Sequence, residues 1–137
     1  MQRTYFADAW YFIALLEPRD GDHRSARRLA TFVERTRLLT HEGVLTEVLA
    51  YFAAEGARAR LLATEAVQTA LIEMDVISVD RSLFRGALGL YGRRPDKEYS
   101  LVDCTSMELM RSRGVTHVLT HDHHFRQEGF TVLSDAP

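Results

Sequence analysis

The sequence predicts an α/β domain with three layers, α/β/α, around a central, mostly parallel sheet of four or five strands. Three observations predict it. Short apolar, β-branched runs alternate with longer segments of helical period, the pattern of strands joined by helical crossovers. The chain has 137 residues, the length of one domain, so residues 1–137 are read as a single unit. Its composition is 46% hydrophobic and 26% charged, which supports an ordinary core and excludes a disordered tail, a coiled-coil rod or a collagen-like repeat.

The elements follow in order. Thr4–Ala7 reads as a strand, and Asp8–Leu16 as a helix carrying Trp10, Phe12, Ile13, Leu15 and Leu16, stopped by Pro18. Asp22–Arg35 sets Ala26, Leu29, Ala30 and Val33 at i, i+3, i+4, i+7, with arginines on the other face. Leu38–Thr40 is a second strand. Gly43–Ala54 and Arg58–Glu73 are helices, Val76–Val79 is a strand, and Arg81–Tyr91 is a helix. Ser100–Arg113 carries Leu101, Val102, Met107 and Met110 on its inner face and stops at Gly114. Val115–Leu119 and Thr131–Leu133 are the last strands, with a short helix, His123–Gln127, between them.

The formal net charge of −2 excludes a broadly basic nucleic-acid coat. Cys104 is the lone cysteine, so no intrachain disulfide forms and a reducing compartment is expected. No run reaches the ~20 apolar residues of a membrane span. The first residues lack the basic-then-apolar pattern of a signal peptide. The expectation is a cytoplasmic protein without a membrane association.

Four acids stand at or near strand-to-helix corners: Asp8, Glu47, Asp103 and Asp122. Each has a plain reading. Asp8 and Asp122 could cap helices, Glu47 could favour a helix dipole, and Ser100 with Asp103 resembles a capping box, although Asp closes that box less well than Glu. In a parallel sheet these corners meet on the carboxyl edge, where ligands bind. Carboxylates gathered there repel and cannot all ionise without a cation. Hard divalent ions such as Mg²⁺ or Mn²⁺ take oxygen ligands. An all-acid site of this kind points to metal-assisted attack of water on a phosphate ester.

Four segments carry a family resemblance: Tyr5-Phe6-Ala7-Asp8-Ala9, Leu45-Thr46-Glu47-Val48, Ser100-Leu101-Val102-Asp103-Cys104 and Leu119-Thr120-His121-Asp122-His123-His124-Phe125. In order and spacing they resemble PIN-domain proteins, nearest to the VapC-like toxin ribonucleases, over essentially the whole chain. The resemblance implies a PIN-like fold and a metal-dependent endoribonuclease. It implies that Asp8, Glu47, Asp103 and Asp122 hold Mg²⁺ or Mn²⁺, with Thr120 positioning a ligand or water. It also implies an RNA substrate, a homodimer and a cognate VapB-like antitoxin. A non-catalytic PIN-like module that binds RNA or protein is the alternative.

Other residues are weighed beside these. Arg93, Arg94 and Lys97, the densest basic cluster, read as a solvated turn or as an RNA phosphate clamp. His121, His123 and His124 invite a zinc reading, but zinc favours four nitrogen or sulfur ligands. One of these histidines is expected in solvent and another near the groove, with His123 or His124 as an RNA contact. Cys104, on an apolar helix face, reads as a packed thiol. A phosphoryl-accepting receiver would need a lysine after its last strands, and the sole lysine, Lys97, comes earlier. A phosphatase built on an Asp-x-Asp motif would need an acid where Trp10 stands.

Overall fold

The computed structural model describes residues 2–137. Five strands form one sheet: β1 (Thr4–Ala7), β2 (Arg37–His41), β3 (Asp75–Ile77), β4 (His117–Leu119) and β5 (Thr131–Leu133). Their spatial order is β3-β2-β1-β4-β5, and every neighbouring pair is parallel. Seven helices connect them: α1 (Ala9–Leu16), α2 (His23–Phe32), α3 (Glu42–Phe52), α4 (Ala57–Glu73), α5 (Arg81–Arg93), α6 (Leu101–Arg113) and α7 (His124–Gln127).

Parallel crossovers are right-handed. The chain moves one way from β1 through β2 to β3, which sets α1–α4 on one face. It then returns past β1 to β4 and β5, which sets α5–α7 on the other. Helix packing agrees: α1 meets α2, α3 and α4, while α6 meets α5 and α7. The direction of travel reverses between β1 and β4, and in sheets of this kind the crevice at that reversal is the ligand site.

A parallel sheet covered on both faces needs apolar strands. Phe6, Leu39, Val118 and Leu119 are fully or almost fully buried. Val44, Val48 and Phe52 of α3 and Cys104, Met107 and Met110 of α6 join the same core. Cys104 is thus the packed thiol that its helix face implied.

The expected ends shift where pairing stops. The third strand is Asp75–Ile77, because its register with β2 ends at His41 opposite Ile77. The Val79 N–H instead donates to Glu42 Oε1 at 2.9 Å. The fourth strand begins at His117, because Val115 belongs to the end of α6. Gly114 adopts φ +65°, and the Val115 N–H donates to Met110 O at 2.9 Å, a left-handed stop that glycine accepts without strain. The second helix ends at Phe32, where Val33, Glu34 and Thr36 N–H groups turn the chain toward β2. Among the described residues no helix is long and apolar enough to cross a membrane.

Candidate active site

Asp8 leaves β1 at the first position before α1, yet its side chain makes no cap hydrogen bond. Its Oδ2 accepts the hydroxyl of Thr120 at 2.7 Å. Thr120 is fully buried just beyond β4, and the same Oγ1 accepts the Asp122 N–H at 3.2 Å. One hydroxyl therefore joins the two corners that flank the reversal point. Asp122 Oδ1 in turn accepts the His124 N–H at 2.9 Å, so this acid also opens α7.

Asp103 reaches the same edge from the first turn of α6. The capping box is complete despite the shorter acid. Ser100 N–H donates to Asp103 Oδ2, and Asp103 N–H donates to Ser100 Oγ, both at 3.0 Å. The box holds one oxygen and aims the carboxylate. Cap and site are compatible here.

The acids perturb one another. Burial pushes the Asp8 carboxyl up to about 6, with Asp103 and Asp122 adding to the rise and the Thr120 hydrogen bond opposing it. Burial, then Asp8 and Asp103, raise Glu47 to about 7. Glu47 is exposed by surface area, so solvent tempers that push, and this acid meets the groove from its open side. Asp103 is also raised, by burial first and further by Asp122. The charges of Asp103 and Asp122 thus reach Asp8, and those of Asp8 and Asp103 reach Glu47, although the four acids come from different segments.

The histidines divide as chain position alone left open. His121 and His123 are exposed, and His121 stacks on Trp10. His124 is the one near the groove. Its Nδ1 lies 3.2 Å from Asp122 Oδ1 and 3.4 Å from Asp103 Oδ2. Ligating atoms of Asp103, Asp122 and His124 all fall within 4.8 Å of one another. From the sequence His124 is one of three histidines weighed for zinc and, with His123, a candidate RNA contact, one of the three being expected near the groove. Its spacing two residues after Asp122, across a helix start, is the signal that places both on one side.

The donor set fits a divalent cation. Carboxylates held near one another and partly desolvated need a positive partner to ionise together. His124 Nδ1 is buried without a hydrogen-bond partner, an orphaned donor atom facing two of the acids. Asp8, Glu47, Asp103, Asp122 and His124 are the residues available to hold such an ion.

The basic cluster is differently engaged. Arg94 Nε donates to Glu128 Oε2 at 2.9 Å, and Arg111 and Tyr99 also donate to that carboxylate, whose side chain is only 4% exposed. Arg93 lies 3.8 Å from Glu108 and Lys97 3.5 Å from Asp96. Arg93 is 61% exposed by side chain, so its pairing leaves it open to a further anion. A cleft of about 430 Å³ opens at the opposite sheet edge, lined by Thr4, Arg37, Glu73, Asp75 and Arg113 among others. It lies at the amino ends of the strands, away from the acids.

The PIN domain family model matches residues 5–130. The chain is similar to VapC20 of Mycobacterium tuberculosis, described as a sarcin–ricin-loop-cleaving toxin. The identity is 28% and the TM-score 0.83, over 93% of this chain and 96% of that one. At 8% identity and TM-score 0.69 it shares the fold of VapBC2 from Rickettsia felis, solved with promoter DNA, over 94% and 96% of the two chains. A toxin–antitoxin complex from Klebsiella pneumoniae matches at 15% identity and TM-score 0.66, over 93% and 94%. No curated protein sequence matches the chain.

Proposed function

The chain belongs to the PIN domain family, and from that premise we propose that it is a metal-dependent endoribonuclease, the toxin of a VapBC-type pair. The observation that carries this reading is the gathering of Asp8, Glu47, Asp103 and Asp122 at the carboxyl edge of the sheet, where Thr120 ties Asp8 to the Asp122 corner and the charges of Asp103 and Asp122 act on Asp8 and those of Asp8 and Asp103 on Glu47. Mg²⁺ or Mn²⁺ is the cofactor, held by Asp8 and Asp103, by Glu47 directly or through water, and by Asp122. When bound, such an ion makes hydroxide available near neutral pH and screens the charge on phosphate oxygens.

The chain's own residues organise the site. Thr120 donates to Asp8 and accepts from Asp122 N–H, so it fixes two acids at once. The Ser100 N–H fixes Asp103. Rigid carboxylates lose little freedom when a cation or phosphate arrives. Arg93 and Lys97 are proposed as the rim that meets RNA phosphates, and Arg94, expected in that cluster from the sequence, braces the rim through its bond to Glu128.

The likeness to VapC20 makes structured RNA, with the sarcin–ricin loop first, the substrate to test. The solved complexes among its structural neighbours support a VapB-like antitoxin as partner. A homodimer and a cytoplasmic location complete the reading, the latter in keeping with the buried, unpaired Cys104. The decisive experiment incubates the protein with structured RNA and Mg²⁺ or Mn²⁺, with and without EDTA. Cleavage that stops in EDTA, and in folded Asp8→Asn and Asp103→Asn, is expected. Cleavage undiminished in EDTA or in those variants overturns the proposal. The toxin role is tested by inducing the protein in cells: growth arrest relieved by a small protein encoded beside it is expected, and unaffected growth overturns it.

A further inference from the structure

We infer that His124 is itself a ligand of the divalent cation, through Nδ1, and that the site is therefore a mixed oxygen–nitrogen site preferring Mn²⁺ over Mg²⁺. The inference rests on the reading of the acids as a cation site.

Three observations carry it. The first is the orphaned atom. Nδ1 of His124 is buried and has no hydrogen-bond partner, although two carboxylate oxygens stand 3.2 and 3.4 Å away. Both oxygens stand at ion-pair distance, so the nitrogen is aimed between the two acids. Adjacent ligands of an octahedral divalent ion stand about 3 Å apart, given metal–oxygen distances near 2.1 Å, and the observed separations match that spacing.

The second is how the ring is held. Phe125 is fully buried and anchors α7 in the core. The His124 N–H is tied to Asp122 Oδ1. The Tyr99 ring meets the imidazole edge-on at 5.4 Å, and the Tyr99 hydroxyl donates to Glu128 Oε2 at 3.0 Å. Glu128 is fixed by Arg94 and Arg111. The imidazole is thus positioned by ring packing on Tyr99, which is itself held by a chain of contacts running away from the acids.

The third is donor chemistry. A carboxylate-only set suits Mg²⁺, which keeps a shell of water. An imidazole nitrogen adds affinity for transition ions, so Mn²⁺ gains over Mg²⁺.

The test uses pulsed EPR on the full chain loaded with Mn²⁺. A directly bound imidazole gives a nitrogen modulation that changes to the ¹⁵N pattern when histidine is ¹⁵N-labelled. That modulation is expected in the wild type and in His123→Gln, an exposed neighbour. It is expected to vanish in His124→Gln, with Mn²⁺ affinity lowered about tenfold and Mg²⁺ affinity, read by competition, changed less. His124→Asn serves as a second variant, and circular dichroism checks the fold of both. Bound Mn²⁺ without nitrogen modulation in the wild type overturns the inference, whatever the variants do. So does modulation that survives both folded substitutions. Either result leaves the acid site standing, whereas failure of the wild type to bind Mn²⁺ at all overturns both.

Discussion

The Thr120 hydroxyl sits 2.7 Å from Asp8 Oδ2, across a separation of 112 residues. The contact exists because β4 lies directly beside β1, with Ala7 opposite Leu119. Both strands end at the same height, so the residue after each faces the same crevice. Thr120 is fully buried, and its hydroxyl is a donor toward Asp8 and an acceptor from Asp122.

Thr120→Val should therefore alter proton competition at Asp8. The hydrogen bond lowers a carboxyl that burial has raised to about 6, so its loss raises that acid further. A cation competes with the proton for the same oxygen. Titrations with Mn²⁺ across pH should show affinity failing at a higher pH in Thr120→Val than in the wild type, with Thr120→Ser restoring the original profile. A uniformly weaker but unshifted profile would reduce Thr120 to a packing role.

Asp8→Asn should abolish cleavage and stabilise the metal-free protein. Asp8 has a folded value of about 6, above its ordinary 3.8, and exposed Glu47 is pushed the same way with its share screened by solvent. The folded state then holds more protons than the unfolded state between those limits, so stability falls as pH rises through them. The contribution is fully present below the ordinary values and lost above the folded ones. Asparagine has no charge to desolvate. In EDTA at pH 8, Asp8→Asn should melt roughly 3–6 °C above the wild type, and the gap should close near pH 4. Buried His41, pushed down to about 4 by desolvation, has the opposite sign: its contribution is present above 6.5 and lost toward 4. It acts on both proteins alike and cancels in the difference. Cleavage should fall several hundredfold or more. A pH-independent gap would contradict the assigned burial of Asp8.

The alternation of strands and helices was legible because each strand is short and apolar while each helix carries its own period. Thr131–Leu133 matches its expected span in full. Val79 and Val115 read as strand by residue type, but their N–H groups are taken by Glu42 and Met110, partners that no local pattern reveals. Asp8, Asp103 and Asp122 stood out because each follows a strand or opens a helix. The pairing of Arg94 with Glu128 spans 34 residues, and the inward aim of His124 depends on Tyr99, so both needed the tertiary structure.

Arg94 and its neighbours should separate in their effects. Glu128 is almost fully buried and held at about 2; burial alone would raise it, but hydrogen bonds from Arg94, Arg111 and Tyr99 outweigh that. Removing one of those donors in Arg94→Ala should cost roughly 1–3 kcal/mol of stability, seen in urea unfolding. Arg93 and Lys97 have only loose acidic partners. The double variant Arg93→Ala/Lys97→Ala should keep its stability and bind single-stranded RNA with a salt dependence reduced by about one to two units. An unchanged slope would remove both residues from the RNA rim.

Gly43→Ala should unsettle the side of the site that carries Glu47. The Gly43 N–H donates to His41 Nδ1 at 3.0 Å. Nδ1 is therefore the acceptor nitrogen, and Nε2–H faces Ser106 Oγ at 2.9 Å. The Ser106 hydroxyl donates onward to Val102 O at 3.0 Å. This relay, with His41 and Ser106 fully buried, joins the start of α3 to α6, the helices that bear Glu47 and Asp103. A Cβ on Gly43 would lie 2.9 Å from His41 Cε1 and 3.0 Å from Nδ1. The ring cannot retreat without breaking its bond to Ser106, so α3 must shift instead. Overpacking of this kind costs about 1–3 kcal/mol. Equilibrium unfolding should show that loss, and Mn²⁺ affinity should fall with it, because Glu47 moves relative to Asp103. Wild-type stability together with wild-type affinity would mean that α3 is placed by its apolar face on the sheet, with the His41 relay incidental to the site.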